Sequence, residues 1–320
     1  MRIDPQLRAL RGNTASQRNA QQALEDARDE WRAVSASKEI EELERYGAGL
    51  PLDHCPALTA LFEHGRAKSL TETLVAGTLE ALRGNPLGQV PFRHQHSEGL
   101  SVLQLAHSGR AALTLLLYSE TGHEAPASAC FSGGDRIEAV LAGAADVRFL
   151  ELLEDRGTSA AIDCTARRVV DGEVMRFSGF AQTKSIERVH GRMVVLRLAR
   201  SDAAPCDARE FALDDGRLLH RASGSRAESR QEMMLALLGR MGRSDAAPLI
   251  AEMTREGSDH IRWQAMRECL ALDTGTGFAA LGDMARNAGD PLAATAGALH
   301  AQLIETYPQL AHLETQKCPA

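Results

Sequence analysis

The chain has 320 residues, 44% hydrophobic and 25% charged, a balance that can bury a core and excludes wholesale disorder. Thirty-six Lys and Arg against 43 Asp and Glu leave a net charge of −7, which argues against binding nucleic acid through basicity. Aromatic residues are 4%, so Leu, Ala, Val and Met must fill the core. No apolar run reaches the roughly 18 residues a membrane helix needs. The segment Met1 to Arg8 carries charges where a secretory signal has its apolar stretch. The cysteines (Cys55, Cys130, Cys164, Cys206, Cys269, Cys318) form no C-x-x-C pair, so idle thiols in a reducing cytoplasm are expected.

Residues 1–87 read as a helical region. From Thr14 to Tyr46 good helix formers run without proline. Apolar residues Leu24, Ala27, Trp31, Val34, Ile40 and Leu43 recur at three or four positions, which predicts one long helix with a single docking face. Gly47-Ala-Gly49-Leu-Pro51 ends it. Further helices are expected over 56–64 and 70–82, and Gly84-Asn-Pro86 closes the region.

Residues 88–222 change character. Ile162 to Arg167 alternates apolar and polar at every step, as does Glu173 to Ser178, which predicts strands with one face on a core. Further strands are expected at 111–118, 147–153 and 193–198. Turn-prone pieces separate them: Ser108-Gly109, Ser132 to Asp135, Asp171-Gly172, His190-Gly191 and Asp214-Asp215-Gly216. Short strands and turns with no helix between them predict an antiparallel β-sandwich or barrel.

Residues 223–320 return to helix, expected over 227–241, 245–255, 259–271, 276–287 and 291–305. A slide of 31 positions aligns Ile250 with Leu281, Met253 with Met284, Arg255 with Arg286, Asp259 with Asp290 and Ala265 with Ala296. Helix pairs of this size cannot cover their own apolar faces, so they stack. This pattern, with Ile261-Arg262 opening one helix, resembles HEAT-type helical repeats, which implies a structural or binding role. Nine Arg or Lys against twelve Asp or Glu from Arg226 onward give no basic groove for a phosphate backbone. The fold class expected for the whole is therefore α+β and multidomain, with a helical segment, a β-sandwich or barrel, and a HEAT-like array.

The chemistry-bearing cluster is Gly88 to Glu98, with His94 and His96 one residue apart. On a strand both imidazoles point the same way and can reach one metal ion. Glycine, five residues, then H-x-H resembles the first motif of the cupin barrels. That resemblance implies a divalent Fe, Mn, Ni or Zn held by His94 and His96, with His190 or His220 as further candidates. The family's glutamate would fall at Leu100 or Ser101, whereas here Glu98 lies nearer, and its second motif is absent.

Other patterns read as structure. Ser132 to Arg136 lacks the Lys and Ser/Thr of a phosphate loop and reads as a hairpin turn, and Gly275 to Gly282 reads as an inter-helix turn. Asp214-Asp215 fits a turn, and Trp263 and Met266 fit packing. The basic spot is Arg221, Arg226 and Arg230, which could capture an anionic ligand or peptide. The expectation is a non-catalytic binding or adaptor protein, taking a protein, peptide or small ligand on a composite of β domain and helices. The alternative is a cupin-like metalloenzyme.

Overall fold

In the computed structural model, residues 14–63, 65–120, 126–204 and 206–312 are described. Their contacts divide the chain into two compact units, Met1–Arg221 and Ala222–Ala320.

The first unit opens with α1 (Ala15–Glu30), a π turn (Trp31–Ser35), α2 (Ser37–Ala48), α3 (Pro56–Leu61) and α4 (Arg66–Gly84). The single helix expected to Tyr46 is interrupted. Trp31 turns inward to donate from its indole N–H to the Leu70 carbonyl at 3.2 Å, and Arg32 donates to the Leu105 carbonyl at 2.9 Å. These tertiary bonds widen one turn, and Ala36 at φ −115° ends the run. Gly47 lets α2 approach the β region closely: a Cβ there would lie 2.0 Å from the Ser108 carbonyl oxygen.

The β region follows as β1 (Arg93–Ser97), β2 (Leu100–Ser108), β3 (Ala111–Ser119), β4 (Ser128–Phe131), β5 (Asp135–Asp155), β6 (Ala160–Val170), β7 (Val174–Phe177), β8 (Gln182–Arg200), β9 (Ala208–Ala212) and β10 (Leu218–Ala222). Seven strands form one antiparallel sheet in the order β1-β2-β3-β8-β5-β6, with β7 beside the first part of β5. Strands β10, β9 and β4 form a smaller sheet. Phe131 and Phe211 of the small sheet pack with Leu150, Leu152 and Ile162 of the large one, so the two make a sandwich.

Two of the expected strands are fragments of much longer ones. Val147–Leu153 lies within the 21-residue β5, and Met193–Leu198 within the 19-residue β8. Register shifts at Val140/Ala142, Ala142/Ala144 and Asp146/Val147 bend both strands. Gly143, at φ +86°, sits at this bend with its Cα side 1.9 Å, at a virtual Cβ, from the Arg192 carbonyl oxygen. His190-Gly191, expected as a turn, therefore lies inside β8. The Ser132–Asp135 segment is not a hairpin turn either: β4 pairs β9 and β5 pairs β8, so it crosses between sheets. The alternation of Ile162 to Arg167 puts only Ile162 against a core, because β6 ends the sheet and is largely exposed.

The sheet is covered on both faces. Leu103, Leu105, Leu113, Leu196, Leu198, Ile137 and Ala139 pack under the helices with Trp31, Leu43, Leu58 and Leu70. The opposite face of the same strands carries Leu116, Val140, Val147, Val195 and Met193, closed by Met175 and Phe177 of β7.

The second unit holds α5 (Arg226–Arg240), α6 (Ala247–Met253), α7 (Asp259–Leu272), α8 (Thr274–Arg286) and α9 (Ala293–Thr306). The side chains of Ser225, Ser258 and Asp273 cap α5, α7 and α8 by accepting from the Glu228, Ile261 and Thr276 amides. Of the positions matched by the 31-residue slide, Ile250 with Leu281 and Ala265 with Ala296 are buried on both sides. Met253 is only partly buried where Met284 is buried, and Arg255 and Arg286 are both exposed, so the region is helical without the HEAT-type repeat being confirmed. Gly275–Gly282 is part of α8 and not an inter-helix turn. Gly277 faces the Leu270 backbone so closely that a Cβ would lie 2.5 Å from its nitrogen.

Candidate functional site

Cross-strand neighbours share a face of a sheet, so the register shows which side chains enter the inside of the β region. Thr114 lies opposite Arg197, Arg197 opposite Glu138, Glu138 opposite Met175, and Arg136 opposite Phe177. Met175 and Phe177 belong to the interior core, so Glu138, Arg136 and Arg197 point inside with them. Lys184 sits opposite Phe149 near the start of β8, on that same face.

The bends in β5 and β8 bring the two strand starts together across the interior. There the Glu138 carboxylate is ion-paired with Lys184, which register alone places far along the sheet. Arg197 Nε donates to Glu138 Oε1 at 2.7 Å, and Arg197 also bonds the Tyr118 hydroxyl. Glu138 is 1% exposed at its side chain and Lys184 6%. Arg136 donates to the Gln182 carbonyl at 3.3 Å and lies 5.2 Å over the Phe177 ring, with no carboxylate within ion-pair distance among the described residues. Phe177 in turn stacks on Phe149 with centroids 6.2 Å apart, and Arg167 lies over the Phe149 ring at 4.6 Å.

One carboxylate thus faces three cations, Lys184, Arg197 and Arg136. Burial alone would raise the Glu138 carboxyl, but the Lys184 ammonium and Arg197 guanidinium outweigh it and hold it below the ordinary carboxylate range. Burial lowers Lys184, and Arg197 and Arg136 add to that against the pull of Glu138. Burial, then Arg197, lowers Arg136 likewise. A half-buried guanidinium with only neutral partners beside a net positive cluster carries N–H donors that an anion can accept from. A cleft of about 150 Å³ is lined by Phe149, Phe177, Thr165 and Gln182, with the carboxylates of Glu151 and Asp163 against the one guanidinium of Arg176, and Arg136 is not part of its lining.

The sequence pointed elsewhere. His94 and His96 lie on β1, opposite Leu103 and Ser101, and both are exposed. Leu103 belongs to the helix-covered face, so the imidazoles do point one way, but away from the interior. His94 Nδ1 lies 3.3 Å from the Phe92 carbonyl and His96 Nδ1 2.8 Å from the Ser101 hydroxyl. His190 is held by Asp146 at 2.9 Å and Arg168 at 3.0 Å, and His220 is exposed on β10. Among the described residues no three His, Cys, Asp or Glu side chains gather as a metal would require. The donor set that the cupin resemblance implies therefore does not fit a metal at these positions.

The basic spot falls across the division between the two units. Arg221 is on β10 in the first unit, exposed and paired with Asp207, while Arg230 is exposed on α5 in the second. Arg226 opens α5, and its side chain lies outside the described residues. No helix is long and apolar enough to cross a membrane among the described residues.

No protein-family model matches the chain, and no curated protein does. Solved structures overlap about a third of it. A vicilin from Capsicum annuum is 17% identical over 38% of this chain and 33% of its own, with a TM-score of 0.27. A cupin superfamily protein from Desulfitobacterium hafniense is 18% identical over 34% of this chain and 83% of its own, at 0.25. KdgF from Halomonas sp. is 13% identical over 35% and 88%, also at 0.25. The chain thus spans a third of the vicilin's length, and overlaps this partial leave its chemistry to be argued from its own side chains.

Proposed function

We propose that the chain is a binding protein and that the polar end of the β interior receives a small anionic ligand. The observation that carries this reading is a local excess of cations among the described residues: the buried Lys184 and the partly buried Arg197 and Arg136 surround the single carboxylate of Glu138. Partly desolvated cations in excess of their carboxylate are stabilised by an added anion that pairs with them. The Phe149–Phe177 stack beside Arg136 offers an apolar wall for the body of such a ligand.

Thermal unfolding of dialysed protein with added phosphate, acetate, benzoate or citrate tests it. At a hundredfold excess over Kd, a ligand that binds only the folded chain stabilises it by about 2.7 kcal/mol. Such a rise with at least one of these anions is expected, and its loss in Arg136→Gln, which keeps a polar side chain with an N–H donor but not the charge. Lys184→Met, which keeps the volume, should weaken the response as well. No response to any of the four, or an equal response in both variants, would overturn the reading.

A further inference from the structure

A second concave surface lies on the helical part of the first unit. Helices α1 and α4 and the π turn enclose a groove of about 700 Å³. Its floor is small and apolar, from Ala27, Ala76, Gly77 and Ala81, with Trp31 at one side and Val34 73% exposed at the mouth. A Cβ at Gly77 would meet nothing within 4 Å, so the floor is open. Val75 and Leu79 continue the exposed apolar surface along α4. The rim is acidic: Glu30 and Glu72 carry no ion pair among the described residues, and Glu80 pairs only with Arg83, one turn on.

We infer that this groove docks a basic amphipathic helix of a partner protein. Apolar side chains at i, i+4 and i+7 would enter the groove, as in other helix-in-groove interfaces. Lys or Arg on its flanks would meet Glu30 and Glu72. The small floor residues allow close approach, and the rim carboxylates without an ion pair among the described residues, Glu30 and Glu72, set the sign of the partner's charge. This surface is separate from the β interior and does not depend on the anion reading.

The chain's two tryptophans, Trp31 and Trp263, make the test direct, since Trp263→Phe leaves Trp31 as the reporter at the groove. The probe is a synthetic peptide with leucines at i, i+4 and i+7 and lysines on the flanks, set against a scrambled peptide of the same composition. The ordered peptide should change Trp31 emission, and the scrambled one should not. Gly77→Leu, which fills the open floor, should abolish the change. Glu30→Lys with Glu72→Lys should weaken binding about tenfold and flatten its salt dependence. Equal binding of both peptides, or unchanged affinity in Gly77→Leu, would overturn the inference. So would a concentration-dependent dimer that Gly77→Leu dissolves, since that assigns the groove to a second copy.

Discussion

At the scale of single residues, Glu138 is the keystone of the interior. Among the described residues it alone offsets Lys184 and Arg197, and its removal leaves a buried and a partly buried cation facing one another. Glu138→Gln should destabilise the chain by about 3–5 kcal/mol, read from urea midpoints. Lys184→Met should cost less, because Arg197 still neutralises the carboxylate. The sign of the pH dependence follows from the two shifts. The Glu138 carboxyl is held low when folded, so its stabilisation is present above the ordinary carboxylate range and is lost as pH falls through the lowered folded value. Lys184 is lowered when folded, so the unfolded chain binds more protons over the window up to the ordinary lysine value, and stability rises with pH there. Urea midpoints across pH should show a shallower acid loss in Glu138→Gln than in the parent, where the other lowered carboxylates such as Asp146 and Asp290 still contribute, and a smaller alkaline rise in Lys184→Met. By contrast, His94→Ala with His96→Ala replaces two exposed rings and should shift stability by no more than about 0.5 kcal/mol.

Elements show why the helices were legible and the interior was not. A helical face repeats every three or four residues, and tertiary contacts rarely disturb that count, so the five expected C-terminal helices fall within three residues of α5 to α9 at each end. Strands β5 and β8 instead change phase at each bulge, and a period-two pattern read across Gly143 or Gly191 looks like two short strands and a turn. For the same reason Glu138, between Ile137 and Ala139, reads as the outward position of an alternating strand. It points into a second, inner face that no single segment reveals. The His94/His96 spacing puts two rings on one side of a strand, and only the register to β2 shows that this side is the outer one. The bend itself is testable. Gly143 combines φ +86° with a close carbonyl from Arg192, so Gly143→Ala should shift the bulge and lower the melting temperature, while Gly172→Ala, at φ +86° with open space around it, bears only the backbone strain. The difference between the two variants in the same melt measures the packing part of the penalty.

For the whole molecule, the division at Arg221/Ala222 falls where β10 ends and only Ser223, Gly224 and Ser225 precede α5. This short junction is tied locally: Ser223 Oγ donates to Glu228 at 2.8 Å, and Ser229 Oγ donates to the Ser223 carbonyl at 3.2 Å. Glu228 also accepts from Ser258 Oγ at 2.8 Å, so these bonds anchor the start of the second unit to itself. Each unit has its own buried core, the first around Leu43, Leu196 and Val195 and the second around Ile250, Ala265 and Leu281. Chains with separate cores are cut where few contacts cross. Brief trypsin treatment should therefore cleave after Arg221 or Arg226 and leave two resistant pieces, the smaller with the circular dichroism of an all-helical array. If both pieces vanish together at the rate of the intact chain, the units unfold as one, and a binding event in the β interior would then stabilise the helical array as strongly as its own host. Thermal melts of the parent with an anion that raises stability separate these cases: two independent units give one shifted transition and one unshifted, whereas a fused chain gives a single transition that moves as a whole.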